Sequence, residues 1–353
     1  MSSRVGDPEI VFDPVGSRYH TCRIPAVIAA GEALLAFCEG RLHSAGDAGE
    51  IEVILRRSLD GGRSWLPLQV VSAVAGKTCG NPVPLVDPAS GDLVLVTCRN
   101  GADALEASVA RGIDAENGRR VYVQRSADSG ASWSEPVEIT TQVKPADWGW
   151  YATGPCHGIT LTQGPYAGRL VVPANHSVVP SGLNGGHCIY SDDGGLTWSC
   201  GFVDRNDGDE INANETTVVE LADGRLYFNA RNHRGTGPAR VHAYSSDGGG
   251  TLDAPYEGIK EITAPGIQGS VLRAGDRLLL STPVHPEIRR ELTVFVSDDS
   301  GLSWRPGVVV HAGMSGYSDL VALPGGRVGV FYEAGETSSF ATLRFATFDP
   351  FTL

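Results

Sequence analysis

The sequence predicts an all-β chain, folded as a six-bladed β-propeller with four-stranded antiparallel blades, and three observations support this prediction. The phrase Ser-x-Asp-x-Gly-x-x-Trp occurs at residues 58–65, 126–133, 191–198 and 297–304, and a copy without its tryptophan occurs at 245–252. Successive copies begin about 50 to 70 residues apart, a period typical of propeller blades. The 45 glycines and 21 prolines, together with the absence of long apolar runs of helical period, indicate many short strands and turns.

The repeated phrase has the chemistry of a hairpin turn. Its serine and aspartate side chains can bond to nearby backbone N–H groups, and its glycine supplies a left-handed backbone angle. Its tryptophan can then fold under the turn and pack between strands. The apolar segments 51–55, 121–124 and 292–296 precede three of the copies and read as strands. We therefore expect the aspartates of the phrase to be structural and to lie on the outer rim, away from any chemistry: Asp60, Asp128, Asp193, Asp247 and Asp299.

The five copies account for five blades. The segments 1–35 and 318–353 supply strands for a sixth blade, and pairing of the N-terminal with the C-terminal strand would close the ring without a free edge. No linker, low-complexity tract or change of composition divides the chain. We therefore expect residues 1–353 to form a single domain.

The formal net charge of −13 argues against nucleic acid as a partner and against anionic membranes, because both require a basic surface. No apolar run reaches the length of about 18 residues that predicts a transmembrane helix, so membrane insertion is not expected. No apolar segment of signal-peptide length follows Met1, so the chain as written is expected to be cytoplasmic, or secreted if its natural form carries a leader. The sequence predicts no oligomeric state.

The seven cysteines are scattered, odd in number and free of the CxxC spacing that zinc sites and redox motifs use. Because free cysteine packs as a small apolar residue, we expect reduced and buried thiols. No metal site is predicted.

Charged and phenolic residues recur where the predicted strands begin or end. Arg23 precedes the apolar segment Ile-Pro-Ala-Val, and Asp47 lies in the polar loop 42–49. Such positions are far apart in the chain, and only a closed ring of blades would bring them together. Other polar residues at such positions are Arg41, Glu215, Arg231, Arg289, Arg290, Tyr317 and Glu333.

Four motifs together resemble the sialidases (neuraminidases), and most closely the bacterial exo-α-sialidase family. They are Arg-Ile-Pro at 23–25, Asn-Glu-Thr-Thr at 214–217, Gly-Tyr-Ser-Asp-Leu at 316–320, and the repeated phrase, which resembles the Asp box of these enzymes. The resemblance covers about residues 9–350. An Asp box alone also occurs in non-catalytic propellers, whereas the combination of motifs is specific.

The resemblance implies a catalytic propeller that hydrolyses terminal sialic acids from glycoconjugates or oligosaccharides, without a metal or an organic cofactor. Members of the family bind the substrate carboxylate with three arginines. Arg23 and Arg231 match two of them, and Arg289 matches the third, with its neighbour Arg290 left as an alternative. Arg41, with Glu39 as a further candidate, matches polar groups near O4 of the sugar.

The resemblance also implies the catalytic groups. Tyr317 matches the nucleophile, Glu215 its partner base, and Asp47 the acid/base, while Glu333 matches a carboxylate that braces Arg23. Sialidases with a tyrosine nucleophile are an exception among retaining glycosidases. A neutral phenol avoids the repulsion that a carboxylate would meet at an anomeric centre that already bears a carboxylate.

Several alternatives stay open at this point. The aromatic segment at Trp148, Trp150 and Tyr151, with His157, is expected to be a loop that either contacts the substrate or packs internally. His176 and His285 are expected at the surface or at strand ends. The same scaffold would also accept another 2-keto sugar acid, such as KDN or Kdo, or would serve a non-catalytic propeller that binds a glycan.

Overall fold

The computed structural model describes residues 5–112, 117–204 and 210–353. In this part the chain is all-β, with 24 strands, two short helices and three single 3-10 turns. The helices are α1 (Glu106–Ala110) and α2 (Thr140–Val143). Within the described ranges, no helix is both long and apolar enough to span a bilayer.

The strands of the first half are β1 (Glu9–Phe12), β2 (Thr21–Ala30), β3 (Ala33–Arg41), β4 (Ile51–Ser58), β5 (Gln69–Ser72), β6 (Lys77–Val86), β7 (Leu93–Gly101), β8 (Arg120–Ser126), β9 (Val137–Glu138), β10 (Trp148–Thr153), β11 (Ile159–Thr160) and β12 (Leu170–Val178). Those of the second half are β13 (Leu183–Ser191), β14 (Ser199–Val203), β15 (Ala213–Glu220), β16 (Leu226–Asn232), β17 (Arg240–Ser245), β18 (Glu257–Gly258), β19 (Ser270–Ala274), β20 (Arg277–Pro283), β21 (Arg290–Ser297), β22 (Arg305–Ala322), β23 (Val328–Gly335) and β24 (Thr342–Phe348).

Hydrogen bonding joins these strands into four sheets, of eight, five, four and seven strands. In the eight-stranded sheet, the antiparallel groups β2–β5 and β6–β9 are linked by one parallel bridge between Ile51 and Thr78. In the seven-stranded sheet, the 18-residue strand β22 pairs with β21 through its first part and with β23 through its second part. The structure therefore has four sheets where six blades were predicted, because these two links each merge two neighbouring groups of strands.

The two ends of the chain meet in one sheet. Strand β1 pairs antiparallel with β24, with Glu9 opposite Phe345. This confirms the predicted pairing of the N-terminal and C-terminal strands. It also leaves neither of these strands as a long unpaired edge.

The repeated phrase forms the predicted turn in all five copies. In the first copy, the Ser58 hydroxyl accepts from the Gly62 N–H at 2.8 Å and donates to the Asp60 carboxylate at 2.8 Å. Asp60 also accepts from the Ser64 N–H at 2.9 Å and from its hydroxyl at 2.6 Å. The fifth residue of every copy is a glycine with φ between 80° and 93°, an angle that other residues rarely adopt.

The tryptophans of the phrase pack between neighbouring hairpins. Trp65 lies edge-on to Phe345 of β24, with ring centroids 5.6 Å apart, and Trp133 lies edge-on to Phe37 of β3 at 5.8 Å. Apolar clusters fill the same seams; one joins Val83 and Leu85 of β6 to strands β12 and β13. The core therefore lies between adjacent strand groups, as the alternation of the strands requires. All seven cysteines are free and six of them are buried, as predicted.

We expect Trp304→Ala to lower the free energy of unfolding by about 3–5 kcal/mol, because it removes a large buried ring and leaves a cavity. Trp304 is 6% exposed and lies against Tyr227 of β16. Leu302, in the same turn, is 71% exposed, so Leu302→Ala should change the free energy by less than about 0.5 kcal/mol. Chemical denaturation of both variants tests this, and equal losses would show that the ring does not hold the seam.

Candidate active site

One cleft, of about 200 Å³, gathers predicted site residues from most of the chain. A larger cavity, of about 680 Å³, lies beside the first repeated turn and Arg327, but none of the predicted site residues lines it. None of the five Asp-box aspartates lines the smaller cleft either. The residues that line the cleft include Arg23, Arg41, Asp47, Glu215, Arg231, Arg289 and Tyr317.

Irregularities in the strands aim several of these side chains. The pairing register shifts between Arg23 and Ala26 in β2, around Glu215 in β15, and between Ser315 and Ser318 in β22, next to Tyr317. A bulge bends the strand and re-aims a side chain that would otherwise follow the regular alternation. Three of the residues that line the cleft, Arg23, Glu215 and Tyr317, therefore lie at irregular positions of their strands.

Glu333 lies beneath the cleft and is fully buried. Its carboxylate accepts from Arg23 Nε at 3.1 Å, from the Ile24 N–H at 3.1 Å and from the Tyr317 N–H at 3.0 Å. A Cβ on Gly316 would meet this carboxylate at 2.1 Å, so only glycine lets the strand approach so closely. Glu333 thus holds the Arg23 guanidinium, and it also fixes the backbone of Tyr317.

Arg23 is a permanent cation in the cleft. Burial lowers the pKa of Arg23, but the charges of Glu333 and Asp47 and the hydrogen bond to Glu333 raise it by more, so its pKa lies above the ordinary value. Arg231 follows the same pattern, with Glu215 as its main charged partner. Both guanidiniums remain fully charged at any relevant pH.

Arg41 lies at the end of β3 and is 2% exposed. It donates to Glu39 at 2.7 Å, to the Ala45 carbonyl at 2.6 Å and to Asp47 at 2.8 Å. Glu39 itself accepts from the Asn81 N–H at 3.0 Å. The buried pair Arg41–Glu39 therefore positions the loop that carries Asp47.

Asp47 lies at the mouth of the cleft, with its side chain 64% exposed. Its carboxylate is 2.8 Å from Arg41 and 3.6 Å from Arg23. Partial enclosure by the cleft raises the pKa of Asp47, and the charges of Arg41, Arg23 and Arg289 lower it by more, so its pKa lies below the ordinary value. Asp47 is therefore ionised at neutral pH.

Tyr317 and Glu215 form a hydrogen-bonded pair. The Tyr317 hydroxyl donates to Glu215 Oε1, and Arg231 donates to Glu215 Oε2 at 3.0 Å. Burial and the charge of Glu215 raise the pKa of Tyr317, more than the charges of Arg231, Arg23 and Arg289 lower it. Tyr317 is consequently a neutral phenol whose proton already points to a carboxylate.

The structure distinguishes Arg289 from Arg290. Arg289 lines the cleft, and its guanidinium lies 5.4 Å from the centroid of the Tyr317 ring. Arg290 begins β21, is exposed, and donates to the Ala312 carbonyl at 3.2 Å. The cleft therefore contains three arginines around the phenol, namely Arg23, Arg231 and Arg289.

A buried polar cluster lies under Tyr317. The Asp319 carboxylate accepts from the Val27 N–H at 2.8 Å, from the His157 N–H at 3.0 Å, and from the Ser270 hydroxyl at 2.8 Å, and it contacts His157 Nδ1 at 2.8 Å. Burial lowers the pKa of His157, but the charge of Asp319 and its hydrogen bond raise it by more. Four separate segments are thus tied together directly below the phenol.

The aromatic segment at 148–151 is strand β10 and not the predicted loop. The register shifts between Trp148 and Tyr151, so both of these rings enter the core while Trp150 lines the cleft. His157 does not line the cleft, because it pairs with Asp319. His176, which was expected at the surface or at a strand end, lies near the end of β12, but it is buried and stacks on Trp148, with centroids 3.6 Å apart.

His285 is partly exposed and does not line the cleft, in agreement with the prediction. Its ring accepts from the backbone N–H groups of Glu287 and Ile288, both at 3.2 Å. It therefore organises the loop that precedes Arg289.

Sequence reasoning missed two charged residues that line the cleft, Arg119 and Glu106. Arg119 is 3% exposed, and its guanidinium lies 4.2 Å from the Trp150 ring centroid and donates to Asn81 and Asn100. Arg119 precedes an apolar strand, as Arg23 and Arg289 do, and that pattern was available in the sequence. Glu106 begins α1 and carried no comparable signal.

Within the described ranges, no group of three or more histidine, cysteine, aspartate or glutamate side chains is placed to hold a metal ion. The charged groups of the cleft are mainly arginines and carboxylates. This combination suits recognition of an anion together with proton transfer.

Comparison with known proteins places the chain in a family. The BNR repeat-like domain matches residues 32–330. The exo-alpha-sialidase of Aspergillus fumigatus is 31% identical over 94% of this chain and 83% of its own length. The sialidase of Micromonospora viridifaciens is 31% identical over 92% of this chain, although the match spans only 51% of that protein.

The chain belongs to the sialidase family. It is accordingly a glycoside hydrolase, as predicted. Among solved structures, the Hadza microbial sialidase Hz136 has a TM-score of 0.86 and 25% identity, covering 98% of this chain and 69% of that one. The sialidase of Trypanosoma rangeli, with a TM-score of 0.77 and 19% identity over 93% of this chain, shares the fold.

The raised pKa of His157 predicts a pH-dependent contribution to stability. A group whose pKa is higher in the folded chain stabilises it below the unfolded pKa, about 6.5, and this contribution is lost as pH rises through the folded pKa. His157→Asn keeps a donor near Nδ1 but cannot titrate. The difference in free energy of unfolding between the parent and this variant should therefore shrink above about pH 6.5. Urea denaturation between about pH 5.5 and about pH 9 measures it, and parallel pH profiles would contradict the charged pair.

Proposed function

We propose that this chain is a retaining exo-α-sialidase that releases terminal sialic acids from glycoconjugates or oligosaccharides. One observation carries the proposal: three guanidiniums surround a neutral phenol that is hydrogen-bonded to a carboxylate. A sialic acid presents a carboxylate on the same carbon that the phenol would attack. A sialic acid therefore matches both the three guanidiniums, through its carboxylate, and the phenol, through its anomeric carbon.

The proposal includes a six-bladed propeller as the scaffold. The antiparallel pairings support it, because they divide into the groups β2–β5, β6–β9, β10 with β12–β14, β15–β18, β19 to the first part of β22, and the rest of β22 with β23, β24 and β1. First strands of successive groups contact one another, as β2 contacts β6 and β22. Their ends would surround the cleft, with the Asp-box turns elsewhere on the molecule.

Arg23, Arg231 and Arg289 would bind the substrate carboxylate. Guanidiniums recognise a carboxylate through planar, often bidentate hydrogen bonds. Three cations in one cleft repel one another unless anions compensate them, and Glu333 and Glu215 partly supply that compensation. The substrate carboxylate would supply the rest.

In the first step, the Tyr317 oxygen would form a bond to the anomeric carbon while the bond to the leaving oxygen breaks. The phenolic proton would pass to Glu215, which already accepts its hydrogen bond. Asp47 would give a proton to the leaving oxygen. In the second step, Asp47 would take a proton from water as the water oxygen displaces Tyr317, which regains its proton from Glu215, and the configuration is retained.

The first step requires a protonated Asp47, whereas the lowered pKa of this carboxyl keeps it ionised at neutral pH. Arg41 contributes most to this lowering, and the other two cations responsible, Arg23 and Arg289, are the ones that would engage the substrate carboxylate. A bound carboxylate offsets their charge and adds a negative charge beside Asp47, and both changes raise the pKa of Asp47. Substrate binding would thus prepare the acid.

Tyr317→Phe should lower kcat for an aryl α-sialoside by at least about 100-fold, because it removes the attacking oxygen. Tyr332→Phe is the matched control, since Tyr332 is fully buried and its hydroxyl has no hydrogen-bond partner in the described structure. NMR of the first product of the parent enzyme should show the α-anomer. Full activity of Tyr317→Phe, or an inverted first product, would refute the mechanism.

Asp47→Ala should lower kcat/KM by about 10²- to 10⁴-fold for a sialoside with a sugar leaving group, which needs protonation. An aryl sialoside with a good leaving group departs without a proton, so its kcat/KM should fall much less. Steady-state kinetics on both substrates give the ratio. Equal losses on the two substrates would assign Asp47 a binding role.

The same clamp would also accept KDN or Kdo, and a non-catalytic propeller would bind without turnover. Aryl glycosides of the three sugar acids, assayed in parallel, separate these alternatives. Saturable binding of all of them without release of the aryl group would leave only the non-catalytic interpretation.

A further inference from the structure

Arg289 is held in an unusual way. Within the described part of the chain its side chain forms no ion pair, in contrast to Arg23 with Glu333 and Arg231 with Glu215. Its guanidinium lies instead against two aromatic rings, 5.4 Å from the centroid of Tyr317 and 5.5 Å from that of Phe340. Both distances are within the range of cation–π attraction.

The ring of Phe340 serves a second arginine as well. The Arg23 guanidinium lies 3.9 Å from its centroid and 5.2 Å from the centroid of Tyr317. Phe340 is therefore shared by two of the three arginines that surround the phenol. It is not among the residues that line the cleft, so any effect on a ligand passes through these arginines.

One hairpin carries both supports of Arg23. Glu333 lies in β23, and Phe340 lies in the short turn before β24. The turn is ordered by Ser338, whose hydroxyl accepts from the Phe340 N–H at 3.1 Å. The hairpin thus places the Glu333 carboxylate at the edge of the Arg23 guanidinium. It also places the Phe340 ring close to the same guanidinium.

A ring and a carboxylate support an arginine differently. The five N–H donors of a guanidinium lie in its plane, and a carboxylate brace uses some of them and offsets the charge. An aromatic neighbour attracts the cation while leaving the donors and most of the charge available. Support by rings is accordingly suited to an arginine that must receive a ligand carboxylate.

We propose that Phe340 is a positioning residue that holds Arg289 and Arg23 in the orientation in which they bind the substrate carboxylate. This inference rests on the proposed function and deepens it. Without the ring, Arg289 would keep its charge but sample other rotamers. Binding would then be weaker, because the ligand would have to order the side chain at a cost in conformational entropy. The carboxylate is bound in the ground state and the transition state alike, so the loss would appear in KM and not in kcat.

Phe340→Leu keeps an apolar side chain and removes the aromatic face. We expect KM for an aryl α-sialoside, and the Kd of the 2,3-dehydro analogue of sialic acid measured by calorimetry, to rise about 5- to 30-fold, with kcat within about twofold of the parent. Phe340→Tyr and Phe340→Trp keep a ring and should restore both constants. Phe351→Leu, at a ring that is 63% exposed, is the matched control and should match the parent.

Unchanged KM and Kd in Phe340→Leu would overturn the proposal. So would a loss that the two aromatic variants fail to restore, because a purely structural role for the turn would not depend on an aromatic face. If the parent binds the dehydro analogue but cleaves no sialoside, the proposed function fails. The ratio of dissociation constants then still decides whether Phe340 positions the arginines.

Discussion

The buried carboxylate of Glu333 is the constraint on which the cleft depends. It accepts from the side chain of Arg23, from the Ile24 N–H and from the Tyr317 N–H, so it joins the first strand of one sheet to two strands near the other end of the chain. An ionised group without partners would be strongly disfavoured at this depth. The geometry that satisfies Glu333 therefore also places the Arg23 guanidinium and the Tyr317 phenol beside each other.

The features that the sequence predicted are those that local chemistry determines. The repeated turns depend on serine, aspartate and glycine within a few residues, and their φ angles and hydrogen bonds agree with the prediction. The pairing of β1 with β24 followed from the need to avoid a free edge. The cleft residues from Arg23 to Tyr317 were found through motif resemblance, and the structure brings them together. The sequence did not decide between Arg289 and Arg290 as the third arginine of the cleft. Adjacent residues at a strand end face opposite sides, and the sequence does not show which side faces the cleft.

What the sequence did not reveal depends on register and on contacts between distant segments. Trp148, Trp150 and Tyr151 read as a loop, because the shift in register within β10 disguises the alternation of a strand. The sequence did not predict the contact between His157 and Asp319, since these two residues meet only after the sheets assemble. Phe340 resembles an ordinary turn residue, and its place beside two guanidiniums follows from the hairpin that also carries Glu333. Bulges and tertiary contacts of this kind leave little local signal.

The three arginines around the phenol are supported by different means, and the difference has a consequence. Arg231 shares Glu215 with Tyr317, and Arg23 has both Glu333 and ring contacts, whereas among the described residues Arg289 has ring contacts alone. In a chain with a net charge of −13, a carboxylate beside every arginine would have left no positive field for an anion. Aromatic support leaves Arg289 without a carboxylate partner among the described residues, and under the proposed function the ligand carboxylate would take that place. The charge that no carboxylate offsets would thus be the charge available for binding, which is the condition for a preorganised electrostatic site.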